Sequence, residues 1–205
     1  MSQIKELLID QLRDLLHAET QLVNALPKMA DAANHPRVKE AFGKHLAQTQ
    51  VHVERVQQAF ELLGEEASPK PCKAMMGLIE EGNETIEEGR EKEAIAADLS
   101  LIAAAQRVEH YEISAYGTAR GLARQMGQFN CARLLSQTLG EEEATDFLLT
   151  ALSDPLVQRL SLDDAGADVD LGNNEERLPL RTGKGQQAPK AEKKEKNHRS
   201  GSKAA

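Results

Sequence analysis

Apolar residues recur three and four positions apart over most of the first 153 residues, which is the spacing of one face of an α-helix. The row nearest the amino terminus consists of Leu8, Leu12, Leu15, Leu22 and Leu26. It predicts a helix over residues 2–33, a rod of about 45 Å at the usual rise per residue. Pro27 should kink or locally break this helix, because proline lacks the backbone N–H that the helix interior needs.

Proline and glycine residues divide the remaining pattern into four further helices. Pro36 suits a first helical turn, Gly64 suits a helix stop, and Pro155 marks the point before which the last helix should end. The predicted ranges are 36–63, 73–90, 92–126 and 129–153. The short helix predicted over residues 73–90 carries glutamates that we expect to face solvent, namely Glu80, Glu81, Glu84, Glu87 and Glu88.

These elements predict an all-α fold, an antiparallel four-helix bundle whose second and third long helices are joined through the short extra helix. A long crossover of this kind is typical of ferritin-like bundles. We expect the bundle to occupy residues 1–154 as one domain. Residues 155–205 form a low-complexity tail, acidic first and then basic, which has too few large apolar groups to build a core, so we expect it to be disordered.

Charge and hydropathy narrow the class of protein. The 205 residues carry a net charge of −8, but residues 181–205 hold eight lysines and arginines against two glutamates. No stretch approaches the roughly 18 apolar residues of a membrane span, and the amino terminus lacks the features of a signal peptide. We therefore expect a cytoplasmic protein with no membrane partner. The basic tail either solubilises the chain or makes weak contact with nucleic acid.

Glutamates occupy positions where the helical period requires apolar residues. Glu19 lies in the middle of the first row, and Glu142 lies in a row of the last helix. Glu109 and Glu112 lie in two neighbouring rows of the helix over residues 92–126. Buried carboxylates repel one another, and each loses several kcal/mol of hydration when it is unpaired. They therefore need protons, basic partners or a metal cation inside the bundle.

The helix over residues 36–63 adds histidines to this set. One of its rows places both His45 and His52 inside the bundle, whereas the neighbouring row places them at the edge of the core. In both rows Thr49 points inward, and His52 lies in or beside the core. Four glutamates and an imidazole match the ligands of two divalent iron or manganese ions, whose charge four carboxylates balance.

A metal-free polar core is the alternative interpretation of the same residues. Glu109 or Glu112 would then form an interhelical salt bridge, for which Arg107 and Arg120 are the nearest basic candidates. Glu19 would be a misplaced surface residue, and the histidines would be hydrogen-bonded at the edge of the core.

Several segments of the chain resemble one bacterial protein family. The segments are LLHAETQLVNALPKMA, HLAQTQVHVERVQQAFELLG, AAQRVEHYEISAYGTA and LLSQTLGEEEATDFLLT. They are similar to the YciE/YciF-type ferritin-like stress proteins, relatives of rubrerythrin, over about residues 3–153. The resemblance implies a ferritin-like fold, a homodimer, a stress context and a di-iron centre.

The resemblance also implies which residues hold the metal. In the rubrerythrin-like pattern the four long helices contribute Glu, Glu-x-x-His, Glu-x-x-Glu and Glu-x-x-His. The matching residues, which we predict as metal ligands, are Glu19, His52, Glu109, Glu112 and Glu142. Thr49 and Thr145 stand where the pattern has a glutamate and a histidine, so two expected ligands are missing. This difference puts full ferroxidase activity in doubt and allows a weaker, single-metal or vestigial site.

The sequence thus favours two functions. The first is a stress-response protein with a carboxylate-bridged site for two iron or manganese ions that acts on iron or peroxide. In such a protein, Tyr111 and Tyr116 are either redox-active neighbours of the metal site or structural residues. The second is a non-catalytic helical dimer whose polar core fixes the register of the helices. We assign no catalytic residue and no organic cofactor, and the sequence leaves open whether the protein is an enzyme.

Overall fold

The computed structural model describes residues 2–164, and every regular element within this range is a helix. The five helices are α1 (Gln3–Ala32), α2 (Pro36–Leu63), α3 (Lys73–Gly89), α4 (Ala94–Gln125) and α5 (Phe129–Asp164). Helix α1 packs on α2 and α4, and α5 packs on α2 and α4, so the four long helices form a bundle. The short helix α3 lies in the crossover against α1 and α4. The predicted all-α, ferritin-like bundle with an extra crossover helix is therefore confirmed.

Glycine and proline set most of the helix boundaries as predicted. Gly64 has a φ of 68° and Gly127 has a φ of 72°, and this left-handed backbone conformation ends α2 and α4. Pro36 opens α2, and the side chain of His35 accepts a hydrogen bond from the backbone N–H of Arg37 at the start of the helix. The five glutamates of α3 are exposed, as expected of a solvated face.

At two prolines the helix continues where the sequence predicted a break or an end. Pro27 does not break α1, which is continuous from Gln3 to Ala32. Helix α5 does not end before Pro155 but runs on to Asp164, across the boundary drawn at residue 154. Proline inside a helix costs roughly 3 kcal/mol, but Leu156 is 6% exposed and packs in the core. Burial of such a side chain stabilises by about 1.5–3 kcal/mol, which offsets most of that cost.

The remainder of the predicted tail, residues 165–205, lies outside the described residues, and so does the disorder predicted for it. Within the described part of the chain, no helix combines the length and apolar character needed to cross a membrane.

The core consists of two apolar clusters with a polar layer between them. One cluster includes Leu22 of α1 and Phe42 of α2, and the other includes Leu12 of α1 and Phe60 of α2. Helices α4 and α5 also contribute to both clusters. On each long helix, buried polar residues stand where one cluster gives way to the other, and Asp98, near the start of α4, is a further buried polar residue outside this layer. The two clusters thus close off the polar layer along the bundle axis.

Candidate metal centre

All five predicted ligands lie in this polar layer. They come from four helices, with one from α1, one from α2, two from α4 and one from α5, and none is more than 1% exposed. These residues are Glu19, His52, Glu109, Glu112 and Glu142. The interpretation of Glu19 as a misplaced surface residue is therefore wrong, because its side chain is fully buried.

The potential ligand atoms fall into two sets that share one residue. His45, Glu109, Glu112 and Glu142 form one set, and Glu19, His52 and Glu142 form the other. Within each set, one nitrogen or oxygen per residue lies within 4.8 Å of all the others. Glu142 belongs to both sets, and a carboxylate has two oxygens with which to reach both. Glu142 is therefore the residue through which the two sets are joined.

His45 is the residue that our predicted ligand list lacks. It is buried, and its Nε2 lies 3.3 Å from Glu109 Oε1 and 3.7 Å from Glu142 Oε2. Its Nδ1 lies 3.3 Å from the hydroxyl of Thr145, which is the residue that stands where the family pattern has a histidine. His45 of α2 therefore places an imidazole beside Thr145, the position at which α5 has no histidine. Of the two rows considered for α2, the one that puts both histidines inside is correct.

The ring of His52 lies between the other carboxylates. Its Nδ1 is 3.5 Å from Glu19 Oε1 and 2.8 Å from Glu142 Oε1. Its Nε2 points the opposite way, 2.8 Å from Oε2 of Glu141. Thr49, which replaces the expected glutamate, is buried and donates its hydroxyl hydrogen to the carbonyl of His45. One carboxylate of the rubrerythrin-like pattern is thus absent from the centre.

Most of the polar atoms that face the centre have no hydrogen-bond partner. They are Glu19 Oε2, Glu109 Oε2, both oxygens of Glu112, both oxygens of Glu142, His45 Nε2 and His52 Nδ1. His52 Nδ1 and Glu142 Oε1 lie 2.8 Å apart, but the orientation of the two groups does not meet the geometry of a hydrogen bond. A buried polar atom without a partner costs about 1–3 kcal/mol. Such atoms are common where a ligand completes the site, and carboxylates with imidazoles suit divalent iron and manganese. The residues present therefore fit two such ions.

Arginine does not neutralise these carboxylates in the way the metal-free alternative requires. Within residues 2–164, the salt-bridge partners of Glu19, Glu109 and Glu142 are histidines, and Glu112 has none. Arg107, the nearest basic candidate from the sequence, is half-exposed and pairs with Glu81 of α3 at 2.9 Å. An interhelical arginine salt bridge at Glu109 or Glu112 is thus ruled out in this structure.

Burial raises the pKa of three of the four carboxyl groups in the metal-free centre, whereas the histidines lower that of Glu142. Loss of hydration raises the pKa of Glu112 well above its usual value, and the surrounding carboxylates raise it further. Burial also raises the pKa of Glu109, to about 7, although His45 opposes the shift. Burial raises the pKa of Glu19 as well. Without a metal, protons therefore reduce the negative charge of the centre.

The pKa values of the two buried histidines are also raised, but by the neighbouring carboxylates and against the effect of burial. Burial alone would lower the pKa of His45, but the charges of Glu109 and Glu142 outweigh it and raise the pKa to about 9. Burial would likewise lower the pKa of His52, but Glu142 and Glu19 raise it to about 10. In the metal-free centre both rings therefore carry positive charge near neutral pH, in the place that a metal cation would take.

The two tyrosines differ in their relation to the centre. Tyr116 is fully buried and donates a short hydrogen bond to Oε1 of Glu19. Tyr111 is partly buried, and its hydroxyl lies 2.9 Å from Sγ of Cys72. Tyr116 is thus a direct neighbour of a candidate ligand, whereas Tyr111 contacts the crossover segment.

Sequence reasoning missed two residues beside the centre, Glu141 and Arg55. Glu141 contacts His52, and Arg55 forms a salt bridge with Glu141. Glu141 lies one position before Glu142 in the segment GEEEA, and its neighbour Glu143 is exposed. Sequence spacing alone gives no signal that separates these adjacent glutamates, because which of them faces α2 depends on the rotation of α5.

A ferritin-like bundle with carboxylates and histidines converging from all four long helices defines the class of this protein. Residues 3–161 match the domain family described as Domain of unknown function (DUF892). The chain is 45% identical over 157 residues to Protein YciF of Escherichia coli strain K12, a match that covers 75% of this chain and 92% of that protein. It therefore belongs to the YciF family, as the sequence resemblance implied.

Solved structures agree with this assignment. The crystal structure of the E. coli stress protein YciF superimposes with a TM-score of 0.74 at 43% identity, over 77% of this chain and 99% of that chain. YcfI of Rhodopseudomonas palustris, described as a candidate structural protein, superimposes with a TM-score of 0.69 at 37% identity, over 73% of this chain and 94% of that chain.

Proposed function

We propose that this protein is a stress-response protein that binds two divalent ions, iron or manganese, in the polar layer of its bundle. The observation that supports the proposal most strongly is the set of buried carboxylate and imidazole atoms without hydrogen-bond partners. Four carboxylates balance the charge of two divalent ions, and the two histidines supply neutral nitrogen ligands. The stress context comes from the E. coli relative, which is described as a stress protein.

The chain's own residues would divide the work of holding the ions. Glu109, Glu112 and His45 would hold one ion, Glu19 and His52 would hold the other, and Glu142 would bridge them. The two apolar clusters would keep bulk water from the centre. Because Thr49 supplies no carboxylate, the centre would offer the ions one carboxylate fewer than the rubrerythrin-like pattern. When bound, iron would supply the reaction of Fe(II) with peroxide or dioxygen that links such a centre to oxidative stress.

Metal analysis of the purified full-length protein tests the proposal. Protein produced with iron or manganese in the medium should contain about two ions per chain, and metal-free protein should bind Fe(II) under anaerobic conditions. A ligand that binds only the native state raises the melting temperature, so the loaded protein should melt higher than the metal-free protein. Absence of metal in both experiments would eliminate the proposal in favour of a non-catalytic polar core.

A matched pair of variants separates the centre from general effects of charge. Glu112→Gln removes a buried carboxylate that has no protein partner, whereas Glu143→Gln removes an exposed carboxylate on α5. We expect the first variant to lose metal and the second to keep it. Loss of metal in both variants would indicate nonspecific binding to an acidic protein.

We also propose that the protein is a homodimer, as its family resemblance implies. Phe129 and Phe147 are 70% and 73% exposed, and exposed aromatic side chains of this kind are often covered in an assembly. Light scattering should then give twice the chain mass of 22.5 kDa. A monomer at micromolar concentration would contradict this part of the proposal.

A further inference from the structure

Glu141 and Arg55 form an ion pair beside the candidate centre that the ligand sets do not include. The guanidinium of Arg55 contacts both carboxylate oxygens of Glu141, with Nη1 at 2.5 Å from Oε2 and Nη2 at 3.0 Å from Oε1. Arg55 Nη1 also donates to the hydroxyl of Thr138 at 3.3 Å. A bidentate ion pair between arginine and a carboxylate has a specific geometry, so the carboxylate of Glu141 is held in one orientation.

The same carboxylate contacts the ring of His52. Its Oε2 lies 2.8 Å from Nε2 of His52, whereas Nδ1 of His52 faces Glu19 and Glu142. The partner of one imidazole nitrogen decides which nitrogen keeps its hydrogen and how the ring is oriented. A carboxylate that accepts from Nε2–H therefore leaves Nδ1 directed at the centre as the nitrogen available to a metal.

Glu141 also acts on the second histidine, but through its backbone. The hydroxyl of Thr145 donates its hydrogen to the carbonyl of Glu141 at 3.0 Å. With that hydrogen used, the hydroxyl oxygen can only accept from Nδ1–H of His45, at 3.3 Å. Nε2 of His45 is then the nitrogen that faces Glu109 and Glu142. Two residues of α5 thus contact the imidazoles, Glu141 through its carboxylate at His52 and Thr145 through its hydroxyl at His45.

We infer that Glu141, held by Arg55, is a positioning residue that orients the His52 ring, with Nδ1 presented to the metal centre. The inference about metal rests on the proposed function, whereas the orientation of the ring does not. Partners of this kind typically change metal affinity about tenfold to a hundredfold when they are removed. Because His45 is held through a backbone carbonyl, side-chain replacement at residue 141 should affect His52 and leave His45 in place.

Spectra of the metal-free full-length protein test the orientation directly. Nitrogen-15 labelling of histidine should show the Nε2–H of His52 in slow exchange with water, because Glu141 accepts this hydrogen within a mostly buried contact. Glu141→Ala should abolish the signal, and Glu143→Ala, at the exposed neighbouring position, should keep it. Survival of the signal in Glu141→Ala would overturn the inference, as would its absence from the wild-type protein.

Titration with Mn²⁺ then tests the consequence for metal. We expect Glu141→Ala to bind Mn²⁺ about tenfold to a hundredfold more weakly than the wild type, and Glu143→Ala to bind within about twofold of it. Arg55→Met should give a smaller loss than Glu141→Ala, because Glu141 keeps its carboxylate but loses its anchor. Equal affinity of Glu141→Ala and wild type would overturn the inference and leave the proposed function standing.

Failure of the proposed function and failure of the inference about Glu141 can be told apart. A wild-type protein that binds no Mn²⁺ and no Fe(II) overturns the proposed function, and the Nε2–H comparison still decides whether Glu141 orients His52. Melting temperatures of all variants identify any that fail to fold. If Glu141→Ala is unfolded, Glu141→Leu, which keeps the bulk of the side chain and removes its acceptor oxygens, takes its place in both measurements.

Discussion

Asp98 of α4 accepts a hydrogen bond from the backbone N–H of His35, with 2.7 Å between the nitrogen and Oδ2. The other oxygen of Asp98 accepts from the backbone N–H of Asn34 at 2.8 Å. Asp98 is buried, so it has exchanged hydration for these two bonds. Because His35 caps α2, the bonds tie the start of α2 to α4. They help to set where His45 stands relative to Glu109.

Removal of this carboxylate should destabilise the bundle. We expect Asp98→Ala to lower the free energy of unfolding by about 3 kcal/mol, because the backbone N–H groups of Asn34 and His35 lose a charged acceptor in partly buried hydrogen bonds. Urea denaturation measures the change. Asp154→Ala, at an exposed position on α5, is the control and should be nearly neutral. A loss below about 0.5 kcal/mol in Asp98→Ala, the scale of ordinary surface changes, would show that the turn is held by other contacts.

The sharing of Glu142 predicts unequal effects on metal content. Glu142→Gln should reduce the content from about two ions per chain to nearly none, because this residue belongs to both ligand sets. Glu19→Gln should leave about one ion, because Glu19 belongs to one set only. Elemental analysis after loading with Mn²⁺ measures both. Equal losses in the two variants would contradict the arrangement of two spaces joined by one bridge.

Metal binding should strengthen as the pH rises from about 6 to 9. In the metal-free protein the pKa of Glu109 is raised to about 7, that of His45 to about 9 and that of His52 to about 10. These groups are protonated below their pKa values, and a ligand must lose its proton to bind a metal. Protons therefore compete with the ion at low pH. Titration with Mn²⁺ in weakly buffered solution should release protons at pH 7, and a pH-independent affinity would contradict the prediction.

The continuation of α5 beyond Pro155 predicts a contrast between neighbouring residues. Leu156 is 6% exposed and Val157 is 53% exposed. We expect Leu156→Ala to destabilise the protein by about 2–4 kcal/mol, since it leaves a cavity in the core, and Val157→Ala to change stability by less than about 0.5 kcal/mol. Thermal denaturation of the metal-free proteins distinguishes them. Similar values for both would indicate that the helix is not packed beyond the proline.

The sequence predicted most of the helices and four of the carboxylates because both depend on local periodicity. Glu19 and Glu142 stand out in apolar rows, and a buried row remains buried wherever the helix packs. The end of α5 could not be predicted in the same way. The local penalty at Pro155 is visible in the sequence, whereas the compensating burial of Leu156 against other helices is not.

The role of His45 and Glu141 depended on the rotation of α2 and α5 about their own axes. A shift of one row places His45 either inside the bundle or at its edge, and the sequence allowed both. Likewise, Glu141 and Glu143 flank Glu142 symmetrically, and only packing turns the first toward Arg55 and the second toward water. Side-chain partners across helices are non-local information.

The polar layer between the two apolar clusters also constrains how the helices can slide past one another. In a bundle with uniformly apolar rows, each helix could move along its neighbour by one turn, about 5.4 Å, and still bury a similar surface. Here such a slip would carry Glu109 or Glu142 among leucines and separate it from the imidazoles. We therefore expect the acidic groups to penalise misaligned assemblies, so that one alignment of the helices is favoured during folding before any ion binds.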